Sequence, residues 1–446
     1  MNRSIPAIAL LLFMFIADCS YACTPAPCWL GGELTDYYET VDTRSAQVMR
    51  NSLHEIIDDH VRFPYTSFET DTWDVLETAD QASADSDSIV TIYRNAVFAK
   101  RGGGNDFYNR EHTWPKSYGF PDNGPELNYP YTDMHHLFLA DSDYNFFRSN
   151  KPFADCDVAC DEHVTEANDN RGGVGGSYPG DSNWTDGEFT NGRWEVWKDR
   201  RGDIARAMFY MDVRYEGGTH GETEASEPDL ILTDELILIA STNSGNNEPV
   251  AYMGMLKTLL QWHEQDPVDT VEIQHHATVS NYQQNRNPFI DHPEWVACVF
   301  GNDCPVFQMN AGLNDAWYNP ETDGQGFFIT VFPELGVVLL AWFTYDTVLP
   351  PADAAENLGD AGHRWFTAVG SIDGNSSVMD IEMTSDGIFD LPSDVQRRLD
   401  GTIKLTFEDC TSGTVEYNIP SINQHKTVPI QRVAKDNISL CKQLSD

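Results

Sequence analysis

The chain has 446 residues, with 70 Asp and Glu against 28 Lys and Arg, a formal net charge of −42. Hydrophobic residues make up 41% and aromatics 12% of it, enough for packed cores, which excludes a disordered acidic polymer. Beyond the N-terminus no apolar run reaches the roughly 18–20 residues of a membrane helix, and the length suits about two domains.

Residues 1–22 read as an export signal: Arg3, then the apolar Ile5 to Ala17, then Ser20 and Ala22 at the spacing of a small-residue cleavage site. The mature chain is therefore expected outside the cell, with the periplasm as the alternative. Cleavage there leaves eight cysteines, which fall into close sequence pairs that suit an oxidising compartment. Proximity pairs Cys23 with Cys28, Cys156 with Cys160, Cys298 with Cys304 and Cys410 with Cys441.

Acidic charge is spread along the chain: residues 306–446 carry −12 and the first 305 carry −30. A distribution this even is a solvation property of the whole surface, not an acidic tail. Two windows depart from it. Lys100 to Phe153 holds six basic and seven acidic residues, and Arg193 to Tyr215 holds six and four, so an anion is expected to meet the protein there.

In chain order, the β-branched run Ile89 to Tyr93 predicts a strand, and the glycines of 102–104 and 171–176 predict turns. Asp203 is placed to cap a helix running to Tyr215, with Arg206 and Arg214 off its apolar face, on a solvated side or against phosphate. A second helix is predicted over Val250 to Glu264, stopped by Asp266-Pro267. After Cys304 the pattern changes to short alternating strands, among them Gly326 to Val331, Val337 to Phe343, Ile403 to Phe407 and Val415 to Ile419. These predict a separate all-β module over 306–446, a sandwich or an open barrel. The remainder, 23–305, mixes helices and strands, so the fold class is α+β with an appended all-β domain.

The chemistry concentrates in Asn109-Arg110-Glu111-His112-Thr113-Trp114-Pro115-Lys116-Ser117, then Asp133-Met134-His135-His136-Leu137, then Asn145-Phe146-Phe147-Arg148-Ser149-Asn150. His112 can accept a proton near neutral pH. Glu111 and Asn145 offer oxygen ligands to a hard cation such as Mg2+. Arg110, Lys116 and Arg148 can neutralise phosphate oxygens. Adjacent strand residues point to opposite faces, so Glu111 and His112 at a strand end can address a metal and a water separately. Such parts serve metal-assisted phosphodiester hydrolysis.

Through these motifs the sequence resembles the bacterial endonuclease I family, exported non-specific nucleases that carry a ββα-metal finger. Further stretches extend the likeness over roughly 50–300: Gly202 to Tyr215, Trp262-His263 with Asp266-Pro267-Val268-Asp269, and Asn285 to Glu294. The resemblance implies His112 as general base, Glu111 and Asn145 as ligands of one Mg2+, and DNA and RNA as substrates. Asp133 and His135 would stand behind the site, orienting His112 or the finger. Some relatives place an Arg between the catalytic His and the D-x-H segment. Ser117 to Asp133 contains none here, so Arg148, Lys116, Arg110 or the 193–214 cluster would have to meet the transition-state charge. A competing reading is a surface-binding or adhesion protein with a vestigial finger, its function carried by the β module. The intact Glu111, His112 and Asn145 argue against it.

Overall fold

A computed structural model describes residues 37–445 except 85, 122–127, 244–247, 352 and 355–361. The export signal and the Cys23–Cys28 pair lie outside the described residues.

The first region begins with α1 (Ala46–Ile57), whose Met49, Leu53 and Ile57 recur at four-residue spacing and bury one face. A capping box between Asp71 and Asp74 starts α2 (Thr72–Ala79). A short ribbon follows, β1 (Ser88–Val90) against β2 (Val97–Ala99). The next strand, β3 (Tyr108–His112), leads through the short helix α3 (Tyr129–Thr132) to β4 (Leu137–Asp141). The two strands pair antiparallel, with Glu111 opposite Phe138 and His112 opposite Leu137. Asp141 ends β4 and at once caps α4 (Ser142–Arg148), its carboxylate accepting from the N–H groups of Asp143 (3.0 Å) and Tyr144 (3.3 Å). A single residue thereby fixes the turn from strand to helix and closes a ββα unit.

Three small strands, β5 (Asp161–His163), β6 (Asn183–Asp186) and β7 (Arg193–Glu195), form an antiparallel sheet beside it. The helix α5 (Arg201–Arg214) runs through the core with Gly202 to Arg214 buried throughout. This corrects two expectations. The helix starts two residues before Asp203, which is itself buried and ion-paired to Arg200 at 2.5 Å. Arg206 and Arg214 are neither solvated nor offered to phosphate. Their side chains are fully buried, held bidentate by Glu272 (2.7 and 2.6 Å) and Glu227 (2.9 Å each). The apolar stripe was real, but the opposite face meets other buried elements that supply the counter-charges.

The helix expected from Val250 is also corrected. The strand β8 (Asp229–Leu232) is followed by the helix α6 (Leu236–Thr242) and then by β9 (Val250–Met253), parallel to β8; only after it does α7 (Leu256–Gln265) begin. At Gly254, between them, a Cβ would lie 2.2 Å from the Thr233 carbonyl, so the backbones approach too closely for any side chain. The region ends with α8 (Thr270–Gln283), α9 (Pro288–Asp291) and α10 (Trp295–Gly301), the last joined by the Cys298–Cys304 disulfide. Cys156 and Cys160 are also bonded.

From Asp315 the chain forms eight strands: β10 (Asp315–Tyr318), β11 (Gly326–Phe332), β12 (Val337–Tyr345), β13 (His363–Ser371), β14 (Ser376–Ser385), β15 (Gln396–Phe407), β16 (Ser412–Ile419) and β17 (Gln424–Arg432). Each pairs antiparallel with the next, and β10 also pairs with β17, so the sheet closes. The module is neither a sandwich nor an open barrel but a closed one, with alternate residues such as Val338, Leu340 and Trp342 filling the inside. The Cys410–Cys441 disulfide fastens a final helix, α11 (Ile438–Gln443), to it.

Contacts between the barrel and the nuclease region include two on the surface: Lys442 donates to the Glu39 carbonyl (2.6 Å), and Arg44 lies 3.8 Å from Glu408. An exposed ion pair is worth about 0–1 kcal/mol, and the two regions have separate hydrophobic cores. A chain of residues 23–305 is therefore expected to fold and to keep the full protein's nuclease activity. A soluble, folded 23–305 protein without activity would show that the barrel completes the site.

Candidate active site

The ββα unit brings Glu111, His112 and Asn145 onto one framework, two from the end of β3 and one from α4. Glu111 faces inward and is buried, with Tyr93 donating to its Oε1 (2.7 Å) and the Arg148 guanidinium 3.2 Å from the same atom. Burial pushes its carboxyl up, while Arg148 and Tyr93 pull it back. Both partners engage Oε1, which leaves Oε2 as the oxygen that could serve a cation.

His112 faces the other way. Its ring clusters with two aromatic neighbours, 4.8 Å from Tyr131 and 5.8 Å from Tyr65, which are 4.4 Å from each other. Nε2 is 2.9 Å from the Tyr131 carbonyl. A carbonyl can only accept, so Nε2 carries the proton and Nδ1 keeps its lone pair. Burial, helped by His136, Arg110 and Lys116, holds the imidazole well below its ordinary pKa, so it is neutral in the free protein.

Asn145 donates through its amide nitrogen to Asn109 Oδ1 (2.5 Å) and to the Arg110 carbonyl (3.4 Å). Because a carbonyl can bond only to the NH2 edge, this orients the side chain and turns Oδ1 away as the available ligand atom. Among the described residues no group of three or more His, Cys, Asp or Glu is arranged to hold a metal. A site of one carboxylate and one amide oxygen suits a cation that keeps most of its water, as Mg2+ does.

The three cations named from sequence have different fates. Arg148 is 1% exposed and clamps the finger from inside, donating to the carbonyls of His112 (3.0 Å), Thr113 (2.6 Å) and Ser149 (3.2 Å). Arg110 is also buried, donating to the Tyr65 carbonyl, to Thr72 Oγ1 (2.7 Å) and to Thr66 Oγ1 (3.2 Å), with the Tyr65 ring against its guanidinium. Neither is presented to a phosphate in this geometry. Lys116 is exposed, with Nζ 5.7 Å from the Tyr131 ring.

Asp133 and His135 lie behind the finger. The Asp133 carboxylate accepts from Tyr210 and Tyr215 hydroxyls (2.9 Å each), from Gln283 (3.0 Å) and from the His135 N–H (3.1 Å). Burial pushes this carboxyl up, but His60, His135, His136 and Gln283 outweigh it and hold it below the usual range. His135 turns to the Asn285 carbonyl (3.2 Å), and burial pushes it down to about 3. The pair thus ties the finger to α5 and α8. The imidazole beside His112 is that of His136, with ring centroids 5.4 Å apart. Trp114 and Phe120 are core residues. Sequence reasoning missed Tyr93, Asn109 and Tyr131, which hold Glu111, Asn145 and His112. Asn109 opens the motif itself, whereas the Tyr131 contribution is a main-chain oxygen that carries no sequence signal.

Comparison with known proteins identifies the family. The family model described as endonuclease I matches residues 45–294. Two relatives, each named extracellular ribonuclease, come from Bacillus amyloliquefaciens and Bacillus subtilis (strain 168). Each is 36% identical over 262 residues, covering 58% of this chain and 76% of the relative. The matched span contains the whole finger and stops short of the barrel. The chain belongs to the endonuclease I family, a nuclease that carries a further eight-stranded barrel at its C-terminal end.

Proposed function

We propose that the protein is a secreted, Mg2+-dependent endonuclease that hydrolyses both DNA and RNA with little sequence preference. The observation that carries this reading is the fixed tautomer of His112. With Nε2–H on the Tyr131 carbonyl, the Nδ1 lone pair is set to take a proton from the attacking water. Glu111 Oε2 and Asn145 Oδ1 would hold the cation. When bound, Mg2+ would stabilise negative charge developing on the phosphate and the leaving oxygen. Arg148 keeps Glu111 aimed without competing for Oε2, and Lys116 supplies positive charge at the surface. Export is supported by the extracellular relatives and by the disulfides. Among the described residues no helix is long and apolar enough to cross a membrane.

Supercoiled plasmid and a structureless RNA, each incubated with Mg2+ and with Mg2+ plus excess chelator, test the proposal. Nicking of the plasmid and fragmentation of the RNA, both stopped by the chelator, are expected. Cleavage that persists under chelation would exclude the metal's role, and inertness towards one polymer would exclude the dual specificity.

A further inference from the structure

Two phenylalanine rings on segments that also carry site residues project into water. Phe146 directly follows Asn145 on α4 and is 78% exposed. It is supported from behind by Phe147 (centroids 5.9 Å apart), which in turn rests on His163 (4.5 Å). The second, Phe68, is fully exposed in the turn between Tyr65 and α2. That turn is pinned on both sides of the ring. Arg110 holds the Tyr65 carbonyl and Thr66 Oγ1, and the Ser67 N–H donates to Asp71 (2.8 Å). Tyr65 itself stacks on His112. One exposed ring therefore belongs to the residue after the metal-ligand candidate, and the other to the pinned turn whose Tyr65 stacks on the base.

A lone exposed apolar residue needs no explanation. Two such rings on the elements that carry one site suit a ligand with flat apolar faces. A polynucleotide supplies such faces as its bases, which aromatic side chains stack on regardless of sequence. Charge points the same way. The chain carries −42, and of the three cations named near the site two are buried. Neutral rings can hold a polyanion where further cationic contacts are scarce. In a duplex both faces of each base are already covered by its neighbours, so the rings can engage only where bases are unstacked.

We propose that Phe146 and Phe68 are stacking platforms for the bases flanking the cleaved phosphate, and that they make unpaired strands, RNA or DNA, the preferred substrate. This rests on the hydrolase reading above, and the test separates the two. The substrate is a single-stranded oligonucleotide with one cleavable phosphodiester among methylphosphonate linkages, either with all its bases or abasic on both sides of that bond. Full-length protein with Mg2+ is compared as wild type, Phe146→Ala, Phe68→Ala and Phe146→Tyr.

On the intact substrate each alanine variant is expected to lower kcat/KM by about 5- to 150-fold, the range that one lost base–aromatic stack allows. On the abasic substrate, which removes both stacks at once, the wild type should fall at least as far as either single variant does on the intact one, with no further loss on substitution. Phe146→Tyr should keep the wild-type rate. Equal losses on both substrates would mean that the rings only support the fold, and unchanged rates would mean that they touch nothing; either result overturns the inference while leaving hydrolysis intact. A wild type that cleaves neither substrate would overturn the hydrolase reading, and this inference with it.

Discussion

Replacing His112 by Ala is expected to lower kcat on plasmid by about 10²- to 10⁴-fold, the usual contribution of a positioned general base. Mg2+ affinity should stay near that of the wild type, because on the proposed reading Nδ1 takes the water's proton while Nε2–H is held by the Tyr131 carbonyl. Glu111→Ala and Asn145→Ala should behave differently, weakening Mg2+ binding first and turnover as a consequence. Glu111→Ala carries an added effect, since Arg148 would lose the acceptor 3.2 Å away inside the finger. Isothermal titration with Mg2+, run beside single-turnover cleavage, separates the roles. Equal loss of Mg2+ affinity in all three variants would make His112 a ligand and refute its assignment as base.

The largest stability effect is expected at the centre of the nuclease core. Arg206→Met would leave Glu272 buried without the guanidinium that holds both its oxygens. Breaking such a pair costs about 3–5 kcal/mol, which corresponds to a loss on the order of 10 °C in the nuclease region's melting temperature. The deficit should depend on pH in a defined direction. Burial already pushes the Glu272 carboxyl up, and without Arg206 it rises further. A carboxyl raised in the folded state binds a proton that the unfolded chain has released, so stability falls as pH rises above the unfolded value. The variant should therefore be closer to wild type at pH 5 than at pH 8. Adding Glu272→Leu should recover much of the loss, because apolar pairs of similar volume replace buried ion pairs well. A small deficit that does not change with pH, measured by urea titration at the two pH values, would show that Glu272 finds another partner.

The finger was legible because its parts are local. Glu111 and His112 are neighbours on one strand, and Asn145 lies four residues after the strand that pairs with it. The barrel strands were legible for a similar reason: alternation along Val337 to Phe343 reports its two faces directly. What failed depended on distant partners. Whether Arg206 and Arg214 met water, phosphate or carboxylate was decided by Glu272 and Glu227, which no periodicity within the helix reveals. The helix expected from Val250 begins only at Leu256, because parallel pairing with Asp229–Leu232 makes Val250–Met253 a strand. The roles first given to Arg110 and Arg148 followed from their charge. Their surroundings are backbone carbonyls gathered from several elements, and these keep both guanidinium groups inside.

Closure of the barrel has a consequence for how this protein is assembled as a gene product. Its first strand lies against its last, and the segments just outside them also meet: Asn310 donates to the Cys441 carbonyl at 3.2 Å, and Gly312 packs on the Cys441 backbone so tightly that a Cβ would lie 2.3 Å away. The polypeptide enters and leaves the module at one spot, like a loop of thread drawn through a single stitch. A body joined in this way can be appended to a host, or moved between hosts, with little demand on the host's own fold, because no other strand has to be completed. The barrel's strand pairing therefore asks nothing of the nuclease's own sheets.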